Sequence, residues 1–216
     1  MSQSGWKLGL KRLTDVAGAA LGLAATGPVL VGAAMAVKIA MGSPVLFRQS
    51  RPGRHGKPFT VLKFRTMLDT HDSAGAPLSD ADRLTPLGRF LRAASIDELP
   101  QLFNVFKGDL SLVGPRPLLH RYLSLYSTTQ ARRHEVMPGI TGWAQINGRN
   151  ALTWEEKFEL DVWYVDNWSL TLDFKILLKT VMQVIRRDGI SNSGHATMPE
   201  FSGSTVPSPE SPHPKT

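Results

Sequence analysis

The sequence predicts an α/β fold: a small domain of mixed helices and a β-hairpin, preceded by an N-terminal kinked re-entrant membrane helix and carrying interfacial amphipathic helices. Three observations lead there. Residues 16–37 form a run of 22 positions without a charge. Residues 45–49 and 57–67 read as short strands on either side of the turn formers Arg51-Pro52-Gly53. Apolar residues then recur at helical spacing through residues 84–94, 118–135, 154–168 and 172–187.

A chain of 216 residues has room for one ordinary domain plus appendages. With 42% hydrophobic and 20% charged residues it is globular rather than disordered. It has no cysteine, which excludes disulfide staples and thiolate chemistry and fits a chain facing the cytosol. The net charge of +7 asks for an anionic partner. Lys7, Lys11, Arg12, Lys38, Arg48, Arg51, Arg54, Lys57, Lys63 and Arg65 crowd around the uncharged run, where a membrane surface would collect them. No nucleic-acid recognition motif accompanies these charges, and binding to nucleic acid would leave the uncharged run unexplained.

At about 1.5 Å per residue that run is long enough to cross a hydrocarbon core as a straight helix. Gly27 and Pro28 interrupt it near its middle. Proline removes a backbone hydrogen bond and clashes with the preceding turn, so a kink or reversal is expected here, with the Thr26 hydroxyl at hand for a freed carbonyl. Basic residues mark the cytoplasmic side of a membrane helix, and here both flanks are basic. A helix that enters and leaves by one leaflet satisfies both; a kinked spanning helix, a buried soluble helix and a signal peptide satisfy the pattern less well. Only this segment is long enough to cross, which excludes a multi-helix membrane enzyme. The expected organisation is an inserted helix with its basic flank in residues 1–41, a domain in residues 42–188, and a disordered Ser/Pro-rich tail in residues 189–216.

Gly42-Ser43-Pro44 ends the first segment, and the hairpin follows. Residues 69–82 are a polar loop in which Asp69, His71 and Asp72 read as a solvated turn. Thr85-Pro86 suits the cap and first residue of the helix over residues 84–94. A short helix is expected over residues 100–106, stopped by Gly108, and a longer one over residues 118–135, on which His120 and His134 are expected to be solvated. Residues 154–168 and 172–187 are amphipathic. Such helices pack on a core or lie in a membrane interface, and their tryptophan and lysine content favours the interface.

Ser95-Ile96-Asp97-Glu98 fits a capping box, which would place Asp97 in the first helical turn; alternatively Pro100 begins the helix and both acids just precede it. Either way the carboxylates lie near a helix N-terminus, which favours their ionised form and an incoming phosphate. Arg116, between Pro115 and Pro117, reads as a surface turn or as a rigid phosphate clamp. Residues 138–149 read as a set of turns or as a ligand cradle.

Three segments together carry a resemblance: Ser95 to Leu102 (SIDELPQL), Gly108 to Pro117 (GDLSLVGPRP) and Pro138 to Gln145 (PGITGWAQ). In this order they strongly resemble the bacterial sugar transferase family, the monotopic phosphoglycosyl transferases, over roughly residues 8 to 188. The resemblance implies a membrane-associated α/β enzyme on the cytoplasmic face of the bacterial inner membrane. It would transfer a phosphosugar from a UDP-sugar to a polyprenyl phosphate with Mg²⁺, by a ping-pong reaction through an aspartyl phosphosugar, as the first membrane step of a surface glycan pathway. It assigns Asp97 as nucleophile and Glu98 to the metal. It matches Lys63, Arg92, Arg116 and Arg149 to phosphate binding, and Asp161 or Asp173 to acidic support. At the helix break, Gly27-Pro28 stands where relatives often have Ser-Pro. The chemistry agrees with the residues available: phosphoryl transfer through an enzyme intermediate needs an ionised oxygen nucleophile, a divalent cation and cations for the equatorial oxygens. A reading of another class, a non-enzymatic adaptor whose basic hairpin binds anionic lipid, predicts that Asp97→Asn leaves function unchanged.

Overall fold

The computed structural model describes residues 5–148, 152–186 and 200–203. Helix α1 (Trp6–Met41) holds the uncharged run. It stays helical through Gly27 and Pro28, so the chain is not interrupted where a kink or reversal is expected. Proline costs α1 the bond to the carbonyl four residues back, that of Ala24, while the turns on either side carry the helix across. The Thr26 hydroxyl donates instead to the Gly22 carbonyl at 2.7 Å.

Both shoulders of α1 are fastened to the body of the protein. Near its start, Lys11 Nζ donates to the Val113 carbonyl at 3.1 Å and to Asp173 Oδ2 at 2.7 Å. Asp15 Oδ1 accepts from Ser111 Oγ and from the Leu112 amide, each at 3.0 Å. Near its end, Ala33, Val37 and Met41 pack with Phe64 and Leu91. The stretch between is apolar and bare: Leu21 is 72% exposed and Val31 62%. By length and composition, α1 is the one described helix able to cross a membrane.

The hairpin forms as its alternation predicts. Strand β1 (Leu46–Pro52) pairs antiparallel with β2 (Pro58–Phe64), with Leu46 opposite Phe64 and Pro52 opposite Pro58. After the short α2 (Asp80–Arg83), Thr85 caps α3 (Pro86–Ala93) by accepting from the Gly88 amide at 2.9 Å. A Cβ on Gly88 would lie 2.0 Å from the Thr66 carbonyl oxygen, so glycine lets α3 press directly onto the chain leaving β2. Helix α4 (Gln101–Lys107) ends at Gly108, whose φ of 104° is a left-handed stop.

The glycine-rich segments make a second sheet that the sequence did not announce: β3 (Ser111–Val113) pairs in parallel with β4 (Gly139–Thr141). A Cβ on Gly139 would fall 2.1 Å from the Gly114 amide nitrogen, so this close backbone approach needs glycine. The single helix expected over residues 118–135 is not formed. Two 3-10 turns, His120–Leu125 and Arg132–His134, flank the short α5 (Thr128–Ala131). Ser127 breaks the run because its side chain caps a new helix, in a capping box with Gln130. His134 is not solvated as expected: it is half-buried, with Nδ1 3.1 Å from the Gly53 carbonyl, and this contact ties the hairpin tip to the second 3-10 turn. His120 Nε2 meets Ser50 Oγ on β1 at 3.1 Å.

Past the short α6 (Trp143–Ile146), α7 (Trp154–Asn167) buries Phe158, Val162, Tyr164 and Val165. Helix α8 (Leu170–Arg186) buries Ile176 and Asp173, yet leaves Phe174, Leu178, Val181 and Met182 exposed on one side. Residues 200–203 fall in the tail expected to be disordered, and within them Phe201 is buried.

Asp173 anchors the centre of this arrangement, accepting from Lys11, from the Tyr164 hydroxyl at 2.8 Å and from Trp168 Nε1 at 3.2 Å. Asp173→Ala leaves the buried Lys11 ammonium only the Val113 carbonyl at 3.1 Å and Asp15 Oδ1 at 3.8 Å, so about 3 kcal/mol of stability should be lost. A thermal melt of the detergent-solubilised variant beside the wild type would measure it.

Candidate active site

The site begins with an abrupt turn between α3 and α4. Ser95 adopts φ 55°, ψ 18°, a left-handed conformation uncommon outside glycine, and its side chain caps nothing. The expected capping box is therefore absent. A 3-10 turn over Ile96–Glu98 follows, and α4 starts at Gln101 with Pro100 at its cap, close to the alternative start at proline. Ile96 packs beside Phe64 and Leu91, which leaves the next two residues, both acidic, turned toward a cleft.

The two acids meet different fates. Glu98 Oε1 accepts from Lys63 Nζ on β2 at 2.7 Å and from Arg116 Nη2 at 2.5 Å. Burial opposes its ionisation, but Arg116 and Lys63 outweigh that and hold Glu98 well below the usual carboxylate range. Glu98 in turn keeps the Arg116 guanidinium charged. Asp97 is only 8% exposed, and among the described residues no group hydrogen-bonds or ion-pairs with its carboxylate. Burial, then the neighbouring Glu98 anion, push its pKa up to about 6, against the pull of Lys63, Arg92 and Arg116. One carboxylate is thus held charged by two cations; the other has no such partner among the described residues and is the more easily protonated.

Each cation is positioned from behind. Asn104 on α4 clips to β2 by donating to the Thr60 carbonyl at 2.7 Å and accepting from the Leu62 amide at 3.0 Å, which fixes the strand that bears Lys63. Arg92, in the last turn of α3, donates Nε to Thr66 Oγ1 at 3.1 Å. The carbonyl of Arg116 accepts from Arg133 Nη2 at 2.7 Å, and Arg133 is itself held by Asp161 Oδ2 at 2.7 and 3.0 Å. The cleft encloses about 1920 Å³ and is lined by both acids, Lys63, Arg92 and Arg116. Leu102, also on its wall, abuts Gly22 of α1, so the site adjoins the apolar helix.

Five of the expected residues therefore converge: Lys63, Arg92, Asp97, Glu98 and Arg116. Asp161 lines the cleft but is engaged by Arg133, so its support reaches Arg116 at one remove. Asp173 does not line the cleft; it belongs to the buried network with Lys11. Arg149 lies outside the described residues, and Gly27 and Pro28 lie within α1. Sequence reasoning missed Arg133, Thr66 and Asn104, whose partners are 17, 26 and 44 residues away and leave no local pattern.

No cluster of three or more histidines and acids forms a ready-made metal cage among the described residues. Both cations on Glu98 use Oε1, however, and its Oε2 has no protein partner among the described residues. One such oxygen beside a second carboxylate is the sparse donor set that suits Mg²⁺ when substrate phosphates supply the remainder.

Residues 6–187 match the family described as bacterial sugar transferase, and the chain belongs to that family and is an enzyme of that class. It is 61% identical, over 195 residues, to the protein named "uncharacterized sugar transferase EpsL" of Bacillus subtilis (strain 168), covering 90% of this chain and 96% of that one. It is 46% identical, over 189 residues, to a UDP-glucose:undecaprenyl-phosphate glucose-1-phosphate transferase of Caulobacter vibrioides, covering 82% of this chain and 70% of the relative. An Escherichia coli (strain K12) protein of the same name is 43% identical over 184 residues; those cover 81% of this chain but 40% of that longer protein.

Removing the neighbouring anion should make Asp97 easier to ionise. Glu98→Gln is expected to shift the Asp97 titration from about 6 to lower pH. Carboxyl-selective ¹³C NMR of the two proteins would follow it; an unchanged or higher midpoint would contradict the assigned coupling.

Proposed function

We propose that this enzyme moves a phosphosugar from a UDP-sugar to a polyprenyl phosphate, releasing UMP, in two displacements at Asp97. The observation that carries the reading is the contrast between the acids: Asp97 has no hydrogen-bond or ion-pair partner among the described residues, while Glu98 beside it accepts from both Lys63 and Arg116 through one oxygen. A nucleophile must be free to form a bond, and Asp97 is the free one. The names of the Caulobacter and Escherichia relatives describe the same overall transfer with glucose.

In the first displacement an Asp97 carboxylate oxygen attacks the β-phosphorus of the UDP-sugar, the bond from that phosphorus to the bridging oxygen breaks, and UMP departs with the electron pair. In the second, a phosphate oxygen of the polyprenyl phosphate attacks the same phosphorus and Asp97 leaves as carboxylate. Lys63, Arg92 and Arg116 hold the charge that gathers on the equatorial oxygens. Glu98 Oε2 would hold Mg²⁺, which when bound screens the diphosphate and eases departure of UMP. Arg149, from the family resemblance, would join the phosphate contacts.

The membrane supplies the second substrate. Leu21, Val31, Met35 and Ile39 on α1 are each at least 60% exposed, and leaving such side chains in water forgoes roughly 1.5–3 kcal/mol apiece. Lipid removes that cost. Because residues 11–19 and 33–41 of α1 grip one and the same body, both ends belong on one side of the bilayer, which favours a re-entrant helix over a spanning one. The basic flanks favour the cytoplasmic face of the inner membrane. The exposed apolar side of α8, with Lys175 and Lys179 alongside, suits an interfacial position. The product would begin a surface glycan at the membrane.

Asp97→Asn is expected to lower UMP release by at least about 10⁴-fold, the scale on which loss of a nucleophile is felt. It should also remove the phosphosugar adduct that mass spectrometry finds on residue 97 of the wild type incubated with UDP-sugar and Mg²⁺. Chelation of the metal should stop both reactions and added Mg²⁺ restore them. An adduct on another residue would refute the assignment of the nucleophile.

A further inference from the structure

Residues 200–203 return to the body of the enzyme at a place where nothing in the chemistry above requires them. Phe201 is 4% exposed and inserts among Tyr122, Tyr126, Trp154 and Phe158, with ring centres 5.6, 6.0, 5.7 and 5.0 Å away. Its amide donates to the Tyr122 hydroxyl at 3.2 Å, and the preceding Glu200 pairs with Arg121. Ring, amide and carboxylate thus anchor two consecutive residues to one patch, beside the cleft that Tyr122, Trp154, Phe158 and Glu200 help to line.

The patch leads to the site through a short series of contacts. Two of the rings that Phe201 touches, Tyr126 and Phe158, carry the Arg133 guanidinium on their faces at 5.8 and 5.6 Å. Arg133 holds the carbonyl of Arg116, and Arg116 holds Glu98. We infer that Glu200-Phe201 is a strap that positions the phosphate clamp: by filling the aromatic box it keeps Arg133, and through it Arg116, in register with the carboxylate pair. Phe201 is a positioning residue, since it touches neither acid. The inference rests on the proposed reaction in one respect, that Arg116 contacts the phosphates of the UDP-sugar. A ring slot next to a nucleotide cleft would equally accept a nucleobase, and Phe201 would then compete with substrate. The contacts running from Phe201 to Arg116 favour the strap, and the two ideas predict opposite signs.

The test compares the intact protein with Phe201→Ala, Glu200→Gln, Phe201→Leu and a chain ending at residue 199, using initial rates of UMP release at varied UDP-sugar. For Phe201→Ala and the shortened chain the KM for UDP-sugar should rise about tenfold, the coupling typical of side chains in one contact network, with kcat within about twofold. Phe201→Leu should restore most of the affinity, and Glu200→Gln should show a smaller rise. A purely structural role would lower kcat and the melting temperature and leave KM alone, and that result overturns the inference. So does a fall in KM, the mark of a competing plug. A fluorescent peptide of residues 196–216 should bind the shortened chain and lower its KM, and should lose at least about tenfold in affinity when it carries Phe201→Ala. Peptide binding needs no turnover. An intact enzyme that releases no UMP from any UDP-sugar therefore defeats the proposed reaction, whereas a peptide that does not bind defeats the strap.

Discussion

Glu98 is where three separate parts of the chain are tied together. One oxygen of its carboxylate takes a hydrogen bond from Lys63 on the hairpin and another from Arg116 in the proline-bracketed turn, while its own backbone belongs to the turn between α3 and α4. Cations drawn in by a fixed anion surround the adjacent Asp97 without being spent on it. Remove the anion and the same cations are free to pair with Asp97, which would then be a salt-bridge partner rather than an uncommitted oxygen. The electrostatic division of labour between the neighbours depends on that asymmetry, and the asymmetry depends on the left-handed residue before them, which aims both side chains into one cleft.

The same economy governs how an apolar helix and a charged cleft coexist. Helix α1 carries Lys11 and Asp15 on turns that face the body, where Ser111, the Val113 carbonyl and Asp173 satisfy them, and keeps its bare apolar surface for the stretch between its two attachments. Gly22 brings Leu102 within contact of the helix, and Leu102 lies three residues after Leu99 on the cleft wall. The apolar helix and the carboxylate cleft thus share a wall at Leu102.

Much of this was legible in the residues, and what was not has identifiable causes. Alternation around Arg51-Pro52-Gly53 gave the hairpin, Thr85-Pro86 the start of α3, and 3.6-residue spacing both α7 and α8, because each signal is local and strong. The acids and three of the cations were found through motif resemblance. Ser95 misled: Ser-x-x-Glu spells a cap, but the tight passage from α3 to α4 forces the serine to positive φ and turns its side chain away. The helix over residues 118–135 failed because Ser127 is a better start than interior, and the aromatic box draws Tyr122 and Tyr126 to a common point. Arg133 and the β3–β4 pairing depend on partners far along the chain. For the sheet a clue was present in the density of glycine at positions 114, 139 and 142, which is worth reading as close backbone contact rather than as loop.

The buried attachment of Lys11 has a bearing on how the enzyme is made. Its carboxylate partner, Asp173, follows it by 162 residues, a stretch that a ribosome needs roughly 8 to 32 s to produce. Throughout that interval the start of α1 bears a charge with no interior to enter, while its apolar middle, in the membrane position proposed for it, needs no partner from the later chain to leave water. On the proposed membrane insertion of α1, the helix would enter lipid ahead of docking, with the lysine held at the water line until the finished body closes onto it.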